Sequence, residues 1–282
     1  MARVALATCS SRPGLDADSA RLLPAFAAAG VDAVPAVWDD PSVDWAAYDL
    51  VVVRSTWDYT LRREEFLGWA ARVPRLLNPA HVLAWNTDKR YLRDLQAAGV
   101  PVVPTTYVAP GERYDPPTGE VVVKPTVSAG ARDTERHADA RDGAALVARL
   151  HAQGRTAMVQ PYVEGIDGAG ETAVLVFDGE PSHGARKAPL LAGTPDVDPD
   201  DDEDRALMSE REPSPEQVAL AEAALAAVPS DGPLLYARVD VVPGPDGQPV
   251  VMELELTEPS LFLRLAPGSA ERFVQAVVRR LG

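Results

Sequence analysis

The chain predicts an α/β protein, α+β in part, with an open parallel lobe at its N-terminus. Three observations carry this. Short apolar runs at 3–8, 31–38 and 50–53 alternate with a helical pattern, the signature of a parallel sheet. Strand and helix patterns continue to alternate through the centre. Near the C-terminus, two strand patterns flank Pro243-Gly244-Pro245-Asp246-Gly247, a strong hairpin signal.

Bulk composition sets outer limits. The chain has 282 residues, 46% of them hydrophobic and 24% charged, which suits a globular protein of two or three lobes. A formal net charge of -15 argues against a nucleic-acid or anionic-membrane partner, because both want a basic face. It leaves room for a small anionic substrate, since a few local cations outweigh distant charge at physiological salt. One cysteine, Cys9, permits no internal disulfide and fits a reducing cytoplasm. The apolar run after Met1 is too short for a signal peptide or a membrane span.

In chain order, Arg3 to Thr8 reads as a buried strand and Cys9 to Gly14 as a small-residue loop. Asp18 to Ala29 has helical spacing and stops at Gly30. Val31 to Trp38 and Leu50 to Val53 are the next strands. Ligands of such sheets sit at the C-terminal strand ends, here residues 8–11 and 54–59. Glu64 to Ala71 is a helix, Asn78-Pro79 a turn, and Thr87 to Ala98 an amphipathic helix stopped by Gly99 and Pro101. Val102 to Thr105 is edge-like and Pro110 to Gly119 a loop. Val121 to Pro125 is a strand carrying Lys124, followed by a small-residue loop from Ser128 to Thr134. Asp142 to Gln153 is a helix. Ala157 to Gln160 and Glu171 to Phe177 are strands, the second turning at Asp178-Gly179. The acidic stretch from Thr194 to Arg205 reads as a solvated, mobile loop. Pro215 to Ala227 is a helix with Ser214 as N-cap. Leu235 to Val242 and Pro249 to Leu256 form the hairpin, and Glu271 to Leu281 closes the chain as a helix.

The hairpin is richest in chemistry. Side chains alternate on a strand, so Arg238 shares a face with Asp240, and Glu253 with Glu255. Antiparallel pairing then gathers three carboxylates, which repel one another unless a cation sits among them. Oxygen ligands of this type suit Mg²⁺, which takes one or two carboxylates together with phosphates. The same alternation also describes a solvated strand face. Lys124 and its small-residue loop offer a charge and close backbone N–H groups to a phosphate chain; taken alone, a lysine at a strand end pointing into water accounts for it equally. Met158-Val159-Gln160-Pro161-Tyr162-Val163 runs from a strand into an irregular connector whose backbone suits an adenine edge, with Glu171 placed for ribose hydroxyls. An ordinary strand and loop has the same pattern.

Taken in order, Lys89, Lys124 with Ser128 to Ala131, Gln160 to Val163, Glu171, Arg238-x-Asp240 and Glu253-x-Glu255 resemble the ATP-grasp superfamily over nearly the whole chain. The resemblance implies an N-terminal α/β lobe at 1–86 and two lobes, 87–160 and 161–282, that clamp ATP. It implies an ADP-forming ligase that joins a carboxylate to an amine-type nucleophile through an acyl phosphate. Lys89, Lys124, Ser128 and Gly130 then hold phosphates. Gln160, Pro161 and Val163 face adenine, and Glu171 holds ribose. Asp240, Glu253 and Glu255 hold Mg²⁺, two ions with Mn²⁺ as a substitute. Arg238, Arg186 and Lys187 stabilise the transferring charge.

Residues 53–59, 85–92 and 253–262 are similar to the subgroup containing the O-ureido-serine cyclo-ligase of cycloserine biosynthesis. That likeness implies ring closure of a small amino-acid derivative such as O-ureido-D-serine, with Arg54, Ser55, Asp58, Tyr59 and Ser260 reading the substrate. It also implies a cytoplasmic enzyme and a homodimer. An intermolecular amino-acid or peptide ligase, or a nucleotide-binding regulator without catalysis, are the alternatives. Two departures stand out. Glu255 occupies a position where many members carry Asn, and Asp196 to Asp204 is acidic where relatives often have a Gly-rich closing loop.

Overall fold

A computed structural model describes residues 1–189 and 207–282. The acidic segment 196–204 lies outside the described residues.

Three sheets organise the chain. The first is all parallel, with strand order β2-β1-β3-β4, from β1 (Arg3–Thr8), β2 (Asp32–Val37), β3 (Leu50–Ser55) and β4 (Leu76–Leu77). β3 is buried at every position. That is why it reads as an unbroken apolar run: a parallel strand is covered on both faces. The second sheet is antiparallel, with order β5-β8-β6-β7. It uses β5 (Thr106–Val108), β6 (Val121–Pro125), β7 (Glu135–His137) and β8 (Ala157–Pro161). The third is also antiparallel, with order β11-β10-β9-β12-β13. Its strands are β9 (Glu171–Phe177), β10 (Glu180–Lys187), β11 (Met208–Glu210), β12 (Tyr236–Pro243) and β13 (Pro249–Glu255).

The cores show how the sheets join. Val4, Leu6, Leu50 and Val52 of the first sheet pack in one cluster with Leu175, Phe177 and Tyr236 of the third and Phe273 of the last helix, Ser269–Arg279. The middle sheet keeps its own core, where Val121, Val123 and Val159 meet Leu146 and Leu150 of the helix Ala144–Ala152. A cleft between this unit and the rest follows from that division.

Sequence and structure differ in three places that bear on the site. The helix expected from Thr87 to Ala98 is shorter, Tyr91–Ala97, and a separate helix, Ala80–Asn86, precedes it where only a turn was expected at Asn78-Pro79. The break is held by long-range bonds: the Lys89 N–H donates to the Thr126 carbonyl (2.8 Å), and the Asn86 side chain donates to the Leu254 carbonyl (2.8 Å) and accepts from the Leu256 N–H (2.7 Å). β7 and β10 are strands that local propensity does not announce. β10 contains Pro181 and Gly184 yet pairs with β9 along most of its length. The helix from Pro215 is as expected, and Ser214 and Gln217 form a reciprocal capping box. Among the described residues, no helix is long and apolar enough to cross a membrane.

Candidate active site

A cavity of about 480 Å³ opens between the middle sheet and the rest of the molecule. Its floor is the β12–β13 hairpin, whose register sets Arg238 opposite Glu255 and Asp240 opposite Glu253. The period-two alternation thus lines up the face that the sequence suggested.

The three carboxylates do not meet one another bare. Asp240 is fully buried and receives two parallel bonds from Arg238 (Nε to Oδ1 2.9 Å, Nη2 to Oδ2 3.0 Å). Lys187 Nζ adds a contact to Asp240 Oδ2 at 2.6 Å and another to Glu171 Oε2 at 2.7 Å. Arg238 also bonds Glu255. Lys89 Nζ reaches Glu253 Oε1 at 3.1 Å and the Ser128 carbonyl at 2.7 Å. Among the described residues, no group of three metal-ligating side chains converges, because lysines and arginines occupy the space between them.

Charge follows from this pairing. Burial opposes ionisation of Asp240, yet Arg238 and Lys187 hold its carboxyl down at about 2. Burial likewise works against Glu253, and Lys89 and Lys124 keep it below the usual carboxylate range. Glu255 goes the other way. Burial, with repulsion from Glu253 and Asp240, pushes it up to about 7 despite Arg238. Lys124 lies on the cavity face of β6 beside Val122, while Val121 and Val123 point into the middle core. Burial, and repulsion from Lys89 and Lys187 set against the pull of Glu253, lower the Lys124 ammonium. No ion pair or hydrogen bond holds its Nζ among the described residues.

Ser128, Gly130, Gln160, Pro161, Val163 and Glu171 line the same cavity. Gln160 is oriented by a bond from its Nε2 to Thr105 Oγ1 (2.9 Å). Gly170, just before Glu171, has φ +70°, and a Cβ there would stand 2.4 Å from the Lys187 carbonyl oxygen. Only glycine lets β9 start so close to β10.

Five expected residues are not brought to the cavity wall; one of them, Asp240, lies fully buried behind Arg238 and Lys187. Arg186 and Lys187 are adjacent on β10, so they point to opposite faces; Arg186 donates to the Gly168 (3.1 Å) and Ala169 (3.0 Å) carbonyls instead. Arg54 is 1% exposed, packed over the Tyr236 ring, and donates to the Pro259 carbonyl. Ser55 Oγ bonds Asp16 Oδ2 (2.6 Å). Asp58 accepts from Trp38 Nε1 (2.9 Å) and Arg62 (2.6 Å). Tyr59 and Ser260 do line the cavity.

The comparisons with known proteins agree with this geometry. Residues 4–78 match the N-terminal domain of D-cycloserine synthetase DcsG. The cycloserine biosynthesis protein DcsG of Streptomyces lavendulae is 40% identical over 302 residues, covering 100% of this chain and 99% of that protein. This chain belongs to the DcsG family.

The crystal structure of D-cycloserine synthetase DcsG superposes with a TM-score of 0.90 at 39% identity, covering 99% of this chain and all of that one. More distant structures share the fold. A RimK domain ATP-grasp protein from Sphaerobacter thermophilus gives a TM-score of 0.66 at 20% identity, covering 98% of this chain and 100% of that one. D-alanine–D-alanine ligase from Bacillus anthracis, complexed with ATP, gives 0.67 at 15%, covering 100% and 97%. The fold is therefore ATP-grasp, and this DcsG-family chain is an ATP-grasp ligase, an enzyme that forms C–N bonds.

The structure adds residues that sequence reasoning gave no role. Six successive carbonyls, 256–261, are each held by a side chain from elsewhere: Leu256 by Asn78, Thr257 by Tyr236, Glu258 by Trp57, Pro259 by Arg54, Ser260 by Arg238 and Leu261 by His183. This segment carries Glu258, Ser260 and Phe262 into the cavity. Its one advance signal is that it leaves the metal-type strand directly through Thr257-Glu258-Pro259-Ser260.

Proposed function

We propose that this enzyme is a Mg-ATP-dependent cyclo-ligase that closes O-ureido-D-serine to cycloserine. The observation that carries the reading is the arrangement of cations in one cavity: Lys89 and Lys187 paired with Glu253, Glu171 and Asp240, and Lys124 without a partner among the described residues. Such pairs suit exchange. Phosphate oxygens would take the lysines, and the carboxylates so released would hold Mg²⁺, which needs only one or two of them beside phosphates. The residues present therefore fit Mg-ATP, with Glu253, Glu255 and Asp240 as the metal-holding set.

The same reading assigns Lys89, Lys124, Ser128 and Gly130 to the phosphates. Gln160, Pro161 and Val163 go to adenine and Glu171 to ribose. It divides the chain at 1–86, 87–160 and 161–282. Two Mg²⁺ ions, Mn²⁺ as a substitute, a homodimer and a cytoplasmic setting complete it.

A carboxylate is a poor electrophile. Mg-ATP supplies the phosphoryl group that converts one of its oxygens into a leaving group. The chain's own residues then do three things. Lys89 and Lys124 offset the phosphate charge that would repel an incoming carboxylate. Arg238, held flat by Asp240, presents a guanidinium near the Ser260 carbonyl, where charge builds up as the nitrogen attacks the acyl carbon. Tyr59 and Ser260 bound the substrate end. The attacking nitrogen, bonded to oxygen and carrying the ureido carbonyl, is weakly basic and already unprotonated at neutral pH. Its bond to the acyl carbon forms as phosphate leaves, and the N–C bond to its carbamoyl group breaks with a water, releasing that group as carbon dioxide and ammonia. No strong general base is required, and none of the described cavity-lining residues is a histidine.

The test is ADP release from Mg-ATP across O-ureido-D-serine, single amino acids and amino-acid pairs, with products weighed by mass spectrometry. ADP with the ureido compound alone and a product of cycloserine mass supports the reading. ADP with amino-acid pairs and a condensed product replaces it with an intermolecular ligase.

A further inference from the structure

We infer that Glu258 is a specificity-determining residue that binds the α-ammonium of the substrate. The inference rests on the ligase reading above and adds to it a requirement that the carboxylate substrate carry an amine.

Glu258 lies in the cavity wall and is 8% exposed. A carboxylate this buried is costly unless a cation or several donors balance it. The four acids on the third sheet have their cations: Asp240 has Arg238 and Lys187, Glu253 has Lys89, Glu171 has Lys187, and Glu255 has Arg238. Asp18, which also lines the cavity, forms no ion pair among the described residues and accepts from the Arg264 N–H (3.2 Å). Glu258 forms no ion pair among the described residues. The charges acting on it are a repelling Glu255 and two cations, Lys89 and Arg238, whose bonds go elsewhere. The resulting frustration shows in its acidity: burial and Glu255 push the carboxyl up to about 8.

Its position is fixed by the backbone. The Glu258 carbonyl accepts from Trp57 Nε1 (3.4 Å), and the neighbouring Thr257 and Pro259 carbonyls are held by Tyr236 and Arg54. The side chain is thus presented from a fixed segment into the part of the cavity shared with Trp57, Tyr59 and Phe262. An aromatic-walled pocket holding a buried carboxyl without an ion pair selects a small cation. Its location two residues from Ser260 in the cavity wall suits the amine of a substrate whose carboxylate faces the phosphates. Free amino acids and amino-acid derivatives meet this requirement, and amine-free carboxylates do not.

The experiment compares the full-length enzyme with Glu258→Gln and Glu258→Asp. Calorimetric binding is measured in the presence of Mg and a non-hydrolysable ATP analogue, and turnover alongside. The probes are O-ureido-D-serine and its counterpart lacking the α-amino group. Wild type should bind the amine-bearing probe about 10–100-fold more tightly, the range expected for one charge-assisted contact. Glu258→Gln should remove that preference while the KM for ATP and the Mg²⁺ requirement stay constant, and Glu258→Asp should recover part of it. Wild type that shows no preference for the amine overturns the inference. So does a Glu258→Gln variant that weakens both probes equally, which marks a merely structural residue, or one that shifts the Mg²⁺ requirement, which marks a metal ligand. Failure of the cyclo-ligase reading looks different: wild type prefers amines yet gives no product of cycloserine mass.

Discussion

Asp240 shows how much a single side chain organises here. Its two oxygens accept from Arg238 and Lys187 together, so it orients the cation at the reacting end and the one shared with Glu171. Asp240→Asn keeps the shape but removes the charge that holds both. Turnover should fall at least about 100-fold with the fold intact by circular dichroism; full activity would refute the assignment. His183 tests the same logic through pH. Its Nε2 lies 2.8 Å from the Leu261 carbonyl, an acceptor only, so Nε2 carries the proton and Nδ1 accepts from Ser182 Oγ. Burial, with Arg272 nearby, lowers its pKa to about 4. Because the folded value lies below the unfolded one, the unfolded chain binds more protons between roughly pH 6.5 and 4. Stability from this residue is complete above the upper value and lost as pH falls through the lower one, on the order of 3 kcal/mol in all. Urea midpoints at pH 7 and pH 5 should differ less for His183→Gln than for wild type, and equal slopes would remove His183 from the account.

At the scale of elements, the hairpin was legible because a turn signal and period-two alternation fix both register and face; Arg238, Asp240, Glu253 and Glu255 needed nothing else. Lys124 was legible for the same reason. Arg54 was not. Its strand is buried on both faces, so whether its last residues meet ligand or protein depends on a carbonyl 205 positions away. Nor was the break at residues 87–90, which the Lys89 amide makes by bonding Thr126 across a different sheet. β10 was hidden because Pro181 and Gly184 lower its propensity and only its pairing with β9 rescues it. Arg54 holds the Pro259 carbonyl of the segment 256–261, so it is expected to position that wall of the cavity. Arg54→Met should leave the KM for ATP unchanged and raise the KM for the carboxylate substrate roughly tenfold, since small displacements near reacting groups are expensive. Equal changes in both constants would argue for a general loss of structure.

For the whole molecule, the important division is between the middle sheet, which has its own core, and the two others, which share one. Residues 1–86 therefore share one face of their sheet with the third sheet, through Val4, Leu6, Leu50 and Val52, while the other face keeps a core of its own around Val51, Val53, Phe66 and Trp69. Val52→Ala in the first sheet and Phe273→Ala in the last helix should lower the same calorimetric transition, the second by about 3–5 kcal/mol of stability. Two transitions that respond separately would contradict the shared core. The cleft between the two units is where the lysines of one face the carboxylates of the other, as Lys89 and Glu253 already do at 3.1 Å. Sequence order alone located both sides, because each motif sits on a regular strand or its end. What it did not give is which cation pairs with which carboxylate across the cleft, which depends on three sheets meeting.

The central claim is that a substrate carboxylate is phosphorylated in this cleft before ring closure. The most direct test supplies O-ureido-D-serine labelled with ¹⁸O in its carboxylate, together with Mg-ATP, and weighs the phosphate released. The account predicts that one labelled oxygen passes from substrate to inorganic phosphate for each ADP formed. Unlabelled phosphate, or label found in AMP, would mean that the carboxylate is not activated as an acyl phosphate.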